Sequence, residues 1–314
     1  MTMNADVQLL PIASMRPRVR MPSARTGEWL LLLSLLLCWS SSFIGIRFTV
    51  DFAPITLVAF WRNLIAGVVL LPFAVLLGPR LRLRQVAIQG LYGIFAMAGL
   101  ILGCGVAIEQ GVPTGIVALM SDMLPLAIVL LSIPMIGQVV GRGEWVGIGL
   151  AVCGILVASA GSFHVGAAPG WAYSLPLLGM ISIAVVTLLQ KRLPSTILPI
   201  HQSLCIQSLS SAGLFLALSF VDGRVLPPAE PAFWAGIAWL VLFATIGGYG
   251  LYYFALKRLS STRVGNILYL SPPATMLWGR IMFGEPFSMG MVVGLAITLT
   301  GVMIASRHGG EHPV

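Results

Sequence analysis

Charged side chains are scarce in this chain, acidic ones most of all. Ten Asp and Glu stand against 18 Lys and Arg in 314 residues. Only 9% of residues are charged, where soluble domains carry about 25%. A water-facing globular surface is therefore excluded. Cysteine is also sparse. Cys38, Cys104, Cys153 and Cys205 all fall inside apolar runs without C-x-x-C spacing, which excludes a disulfide framework and a zinc site and leaves them as small apolar packing residues. The four histidines, His164, His201, His308 and His312, are scattered. No H-E-x-x-H, G-x-S-x-G or Walker sequence occurs, so no metal, no cofactor, no ATP coupling and no enzymatic activity are expected.

Apolar residues fill the gap. They make up 58% of the chain, and mean hydropathy is +0.96. A helix needs about 20 mostly apolar residues to cross a bilayer. Ten stretches qualify: 28–46, 54–77, 85–106, 113–136, 144–160, 171–190, 198–219, 232–256, 262–283 and 288–306. The expected fold is all-α and polytopic. Residues 1–26, with Arg16, Arg18, Arg20 and Arg25 among prolines and small residues, read as a flexible cytosolic tail, and 307–314 as a second one. With the N-terminus inside, fourteen of the 18 basic residues fall on the cytosolic side, as the positive-inside rule requires. Both termini are then cytosolic. The net charge of +8 reports this topology, and no nucleic-acid partner is expected.

Residues 114–159 return without a gap as 261–306. Twelve of these 46 positions are identical, among them Pro125/Pro272, Gly137/Gly284, Gly147/Gly294, Gly154/Gly301 and Ala158/Ala305. Strings this apolar would share roughly four or five by chance. The repeat divides the chain into halves 27–160 and 161–306. Each half holds five spans, an odd number, so the second must enter the membrane upside down. Such inverted repeats are a transporter architecture, with the solute site near the midplane.

Few residues carry chemistry at that depth. Pro125 and Pro272 lie ten to twelve residues into the fourth and ninth spans, where a proline breaks the hydrogen-bond ladder. They are expected to kink their helices, either as packing features or lining a pathway. Arg62 and Asp122 are the only charges clearly at mid-membrane, both roughly 12–14 Å below the outer boundary. Equal depth and opposite charge predict an ion pair, because an isolated charge there costs several kcal/mol. A pair would keep Asp122 ionised and unsuited to carrying protons, and Asp122→Asn would then harm folding. The alternative is direct contact, Asp122 with a substrate amine and Arg62 with a substrate carboxylate. Hydroxyls, aromatics and small residues collect around Trp39 and Ser42, around Tyr92 and Met97, around Trp239 and Tyr249, and around Asn266 and Tyr269. Together with Asp122 these nine are the candidate substrate-binding residues. They nominate the third, fourth, eighth and ninth spans as the wall of a cavity.

At the repeat the sequence resembles the drug/metabolite transporter superfamily, in its EamA-type ten-helix form, over about residues 28–306. The carriers of the likeness are Pro272, then Gly284-Glu285-Pro286, then Gly294 and Gly301, with Pro125, Gly137, Gly147 and Gly154 in the first half. Gln138 stands where the second half has its glutamate. The opening Trp39-Ser40-Ser41-Ser42 and the Pro54…Arg62 arrangement match as well. The resemblance implies a secondary transporter in the bacterial inner membrane that exports small organic metabolites, amino acids foremost; the aromatic and methionine content of the expected wall points to aromatic or other apolar ones among them. Its partners would be a small-molecule substrate and the lipid bilayer, and apart from the resemblance a monomer is expected. The rival readings are an exporter of drugs or organic cations and a non-transporting structural membrane protein.

Overall fold

A computed structural model describes residues 22–163, 168–193, 196, 198–259, 261–285 and 287–308. No strand occurs among them. The helices are α1 (Pro22–Val50), α2 (Ile55–Leu76), α3 (Leu83–Glu109), α4 (Thr114–Ser121), α5 (Leu124–Ile136), α6 (Arg142–Phe163), α7 (Ser174–Arg192), α8 (Ile200–Val221), α9 (Pro231–Arg258), α10 (Ser261–Leu268), α11 (Ser271–Phe283) and α12 (Met289–His308). Helices α4 and α5 are two halves of one rod, as are α10 and α11, so ten rods correspond to the ten apolar stretches. Eight rods are long and apolar enough to cross a membrane, and Met289–Ala305 is a shorter apolar helix. The expected tails lie mostly outside the described residues. Residues 22–26, read as tail, begin α1 instead.

The two halves share backbone features that the repeat alone only hints at. Both broken rods part at the same place, Asp122-Met123 in the first half and Tyr269-Leu270 in the second. Asp122 N–H closes the old helix on Ala118 O at 2.9 Å, and Tyr269 N–H does so on Gly265 O at 3.2 Å. Pro125 and Pro272 therefore do not kink a running helix. They sit in the first turn of a new one, where no ladder hydrogen bond is available to lose and the fixed φ suits the start. Both second halves end on a left-handed glycine, Gly137 at φ 70° and Gly284 at φ 66°. A third pair lies in the long rods. α3 contains a π-helical stretch at Gly93–Ala98 and α9 one at Leu240–Gly247, beginning at equivalent positions of the two repeats. Such stretches loosen the regular ladder and recur at functional sites.

Inversion is visible in how α6 meets α12. A Cβ on Gly147 would strike Ala305, on Gly154 it would strike Thr298, and on Gly294 it would strike Ala158. Numbering climbs on one helix as it falls on the other, so these equivalent helices run antiparallel, as an inverted repeat demands. Small residues at the seam let the backbones close, which drives helix association where lipid removes the hydrophobic incentive.

Candidate functional site

A cavity of about 190 Å³ opens inside the bundle. Its wall is built from α1 (Trp39, Ser42, Phe43, Ile46), α2 (Arg62, Asn63), α3 (Met97, Leu100, Ile101, Cys104), the α4–α5 break (Ser121, Asp122, Leu124), Ile183 of α7, and α9 (Ala244, Thr245, Tyr249). Each π stretch supplies wall residues, Met97 from the first and Ala244 with Thr245 from the second. Among the described residues the ninth span, expected as wall, contributes no lining residue; the first and second spans do.

Arg62 and Asp122 both line this space, but they do not pair. Among the described residues no ion pair joins them; those present are Arg47–Asp51 and Arg263–Glu28. Arg62 is 8% exposed. Its Nε donates to Thr245 Oγ1 at 3.3 Å, and Tyr249 lies beside its charge. Thr245 Oγ1 in turn donates to Leu240 O at 3.1 Å, five residues back, a reach that fits the π turn. Asp122 sits at the helix break, facing the Ser271 hydroxyl and the Trp39 indole. Its Oδ2 is nonetheless buried without a partner at hydrogen-bonding geometry. Both charges reach the same cavity; neighbours from the other repeat, Thr245 and Ser271, decide where each points. With the pair absent, the argument that Asp122 is locked against proton exchange falls as well.

The remaining candidates separate into two groups. Trp39, Ser42, Met97 and Tyr249 line the cavity with Asp122. Trp39 stacks edge-on with Tyr249 at 5.9 Å and tilts against Tyr252 at 5.8 Å. Ser42 Oγ donates to Trp39 O at 2.9 Å, and Met97 Sδ accepts from Ser208 Oγ at 3.8 Å. Tyr92, Trp239, Asn266 and Tyr269 are not brought to the cavity. Tyr92 is buried in a small cluster with Ala96 and Val186. Trp239 backs the wall from behind, its Nε1 donating to Ser41 O at 3.3 Å while its ring meets Phe243 and Trp278. Asn266 is exposed on α10. Tyr269 is the counterpart of Asp122 at the second helix break, half-buried against the core. Asn63 and Thr245 were not among the nine sequence candidates. Asn63 turns its amide onto Ala59 O at 2.8 Å, and its polar character inside an apolar run was its one visible signal. Cys104, read as packing, lines the cavity with its Sγ 3.0 Å from Ser121 Oγ. No group of three or more metal-ligating side chains occurs among the described residues.

This arrangement matches a known family in both halves. The EamA-like transporter family model fits residues 26–160 and again 170–307. The chain belongs to the EamA-like transporter family. It is a multi-pass membrane protein whose relatives are transporters. It is similar to the uncharacterized inner membrane transporter YedA of Escherichia coli K12, 29% identical over 88% of this chain and 89% of that one. An uncharacterized transporter of Archaeoglobus fulgidus is 25% identical, over 89% of this chain and 99% of its own. A protein of Streptantibioticus cattleyicolor named "Probable terminal-alkyne amino-acid exporter" is 28% identical, over 89% and 93%. A solved crystal structure has the same fold with a TM-score of 0.57, covering 90% of this chain and 97% of that one at 19% identity.

Proposed function

We propose that this transporter exports small zwitterionic metabolites, amino acids foremost, by alternating access through the cavity at the α4–α5 break. One observation carries the reading. A guanidinium and a carboxylate line the same cavity of about 190 Å³ without pairing to each other. Charges buried among membrane helices are costly and mark solute pathways. Two that leave each other unpaired complement a solute that brings both signs. Arg62 would take the solute carboxylate, a fork-shaped donor for a two-oxygen acceptor. Asp122 would take the ammonium, beside the Trp39 indole and the Ser271 hydroxyl that face it. The apolar wall of Phe43, Ile46, Leu100 and Ile101 would receive the side chain.

Size favours the same class. Pockets for drug-sized ligands run from about 300 to 1,000 Å³, so this cavity suits a single amino acid better than a drug. The printed name of the Streptantibioticus relative, an amino-acid exporter, agrees with that preference. We further infer that the termini are cytosolic, from the placement of the basic residues, that the protein carries no catalysis and that it acts as a monomer.

The test is efflux from liposomes containing the purified protein and loaded with tryptophan or threonine. Efflux faster than from empty liposomes is expected. Unlabelled amino acid should block it, whereas the matching amine and the matching carboxylic acid, each with one charge, should compete at least tenfold more weakly. Equal competition by both analogues would refute the two-charge reading, and no efflux of any amino acid would refute the substrate class.

A further inference from the structure

The two ends of the inverted repeat are not closed alike. Helix α4 of the first half packs along α11 of the second. The equivalent pair at the opposite end, α10 against α5, makes no comparable contact among the described residues. Burial follows the same split. All eight residues of α4 are buried; in α10, Arg263 and Asn266 are exposed. The distribution of basic residues assigns the α4–α11 end to the outside.

Two small residues let that end shut. A Cβ on Gly115 would lie 2.0 Å from Met276 Cγ and 3.0 Å from Met276 Cα, and one on Gly279 would lie 2.7 Å from Thr114 Oγ1. A carboxylate then spans the seam. Glu285, just past the cap of α11, accepts from Thr114 N–H at 2.9 Å and from Thr114 Oγ1–H at 2.7 Å. It thereby caps the first turn of α4 from the other repeat, where the helix dipole favours negative charge. At the equivalent inner positions the sequence has Thr262 for Gly115, Ser132 for Gly279 and Gln138 for Glu285. There the side chains are larger and the clamp residue carries no charge.

We propose that Glu285 and Thr114 form the latch of the outer gate, and that its lack of an equally strong inner counterpart holds the empty transporter closed to the outside and open to the cytosol. Export then begins from the resting state, and a bound solute must draw the inner ends together before the latch is released.

The test reads conformation with no solute present, so it can fail without touching the substrate reading, and the reverse. Cys104 lines the cavity and serves as reporter once Cys38, Cys153 and Cys205 are replaced by alanine. A membrane-impermeant maleimide is applied to right-side-out and to inverted vesicles. In the otherwise native chain, labelling should come from the cytosolic side. Glu285→Ala should raise labelling from the outside at least tenfold, a shift of at least about 1.4 kcal/mol. Thr114→Val, which deletes the hydroxyl but keeps the backbone N–H, should raise it by a smaller factor, and it stands in if Glu285→Ala does not fold. Labelling of the native chain mainly from outside, or unchanged outside labelling in the folded variants, would overturn the latch.

Discussion

Replacing Gly154 with alanine should loosen the seam between α6 and α12 by an amount that can be worked out in advance. The added Cβ would lie 2.3 Å from Thr298 Oγ1, 2.5 Å from Thr298 N and 2.7 Å from Gly294 O. Two of these three are backbone atoms and cannot swing away. They are roughly an ångström inside ordinary contact, so the helices must part. A gap of 0.5–1 Å forfeits about a quarter to a half of each dispersion contact along the seam. The bond from Thr298 Oγ1 to Ala151 O, already 3.4 Å, would go too, worth about 0.6 kcal/mol in a membrane. With the usual cost of overpacking, about 1–3 kcal/mol, the expected loss is about 2–3 kcal/mol. Gly301→Ala makes the equivalent clash, 2.4 Å from Ala151 N and 2.6 Å from Gly147 O, and should cost about the same. The double variant should cost less than both together, because one separation relieves both clashes. Gly149→Ala is the control: it lies on the same helix with nothing within 4 Å. Unfolding in mixed micelles by SDS titration measures all four. If Gly154→Ala and Gly149→Ala unfold within 0.5 kcal/mol of each other, close packing at this seam is not what holds α6 to α12.

Other expectations concern the cavity and the latch. Arg62→Met should lower amino-acid efflux at least tenfold, leave the protein monodisperse in detergent, and abolish the advantage of substrate over its carboxylate-free amine. Thr245→Val should weaken efflux severalfold, since it removes a hydroxyl that accepts from Arg62 Nε, while Thr245→Ser should restore it; equal efflux in both variants would deny Thr245 that positioning role. Asp122→Asn, with no ion pair to break, should fold normally and lose efflux, and a variant that misfolds instead would point back to a structural carboxylate. Burial pushes the Glu285 carboxyl up from its ordinary 4.5, while its Thr114 bonds and the Arg47 charge pull it down. A carboxyl raised in the fold binds its proton more tightly there than in the unfolded chain, so stability rises as pH falls from the raised value towards 4.5. Thermal unfolding followed across that window should show the rise in the native protein and a flatter profile in Glu285→Gln; identical slopes would contradict it.

The rods were legible because a 20-residue apolar stretch has few alternatives, and the inversion because five spans per half is odd. What the sequence could not show is azimuth. In a membrane chain, residues facing lipid and residues facing a hollow are equally apolar, so Phe43, Ile46, Leu100 and Ile101 carry no mark of the cavity they line. Asn266, polar and in a promising span, turned out exposed. Arg62 and Asp122 do line one cavity, yet a pair needs a shared direction as well. That direction comes from the π stretch that presents Thr245 and from the break that leaves Asp122 at a helix end, and neither is written in hydropathy. The prolines were the visible trace of the breaks, but a proline marks the start of the new half-helix, two or three residues after the old one has ended.

The same contrast explains why a symmetric backbone can rest in an asymmetric state. Both halves keep the break, the π stretch and the left-handed cap, so the two facings of the transporter are built from equivalent parts. Were the gate residues equivalent too, the two facings would be equally populated. Holding one at about 99:1 takes roughly 2.7 kcal/mol, half of the 5.5 needed to swing from 1:99 to 99:1. Hydrogen bonds to a charged group contribute about 1.5–3 kcal/mol each, and Glu285 makes two to Thr114, so this one residue is large enough to set the balance. The exchange of the two gate residues is therefore the sharpest test. A double variant, Glu285→Gln with Gln138→Glu, moves the charge to the other end without changing composition. Outside labelling of Cys104 should rise and cytosolic labelling should fall relative to the native chain. If both sides keep their native rates, the bias resides elsewhere, in the size difference between Gly115 and Gly279 at one end and Thr262 and Ser132 at the other.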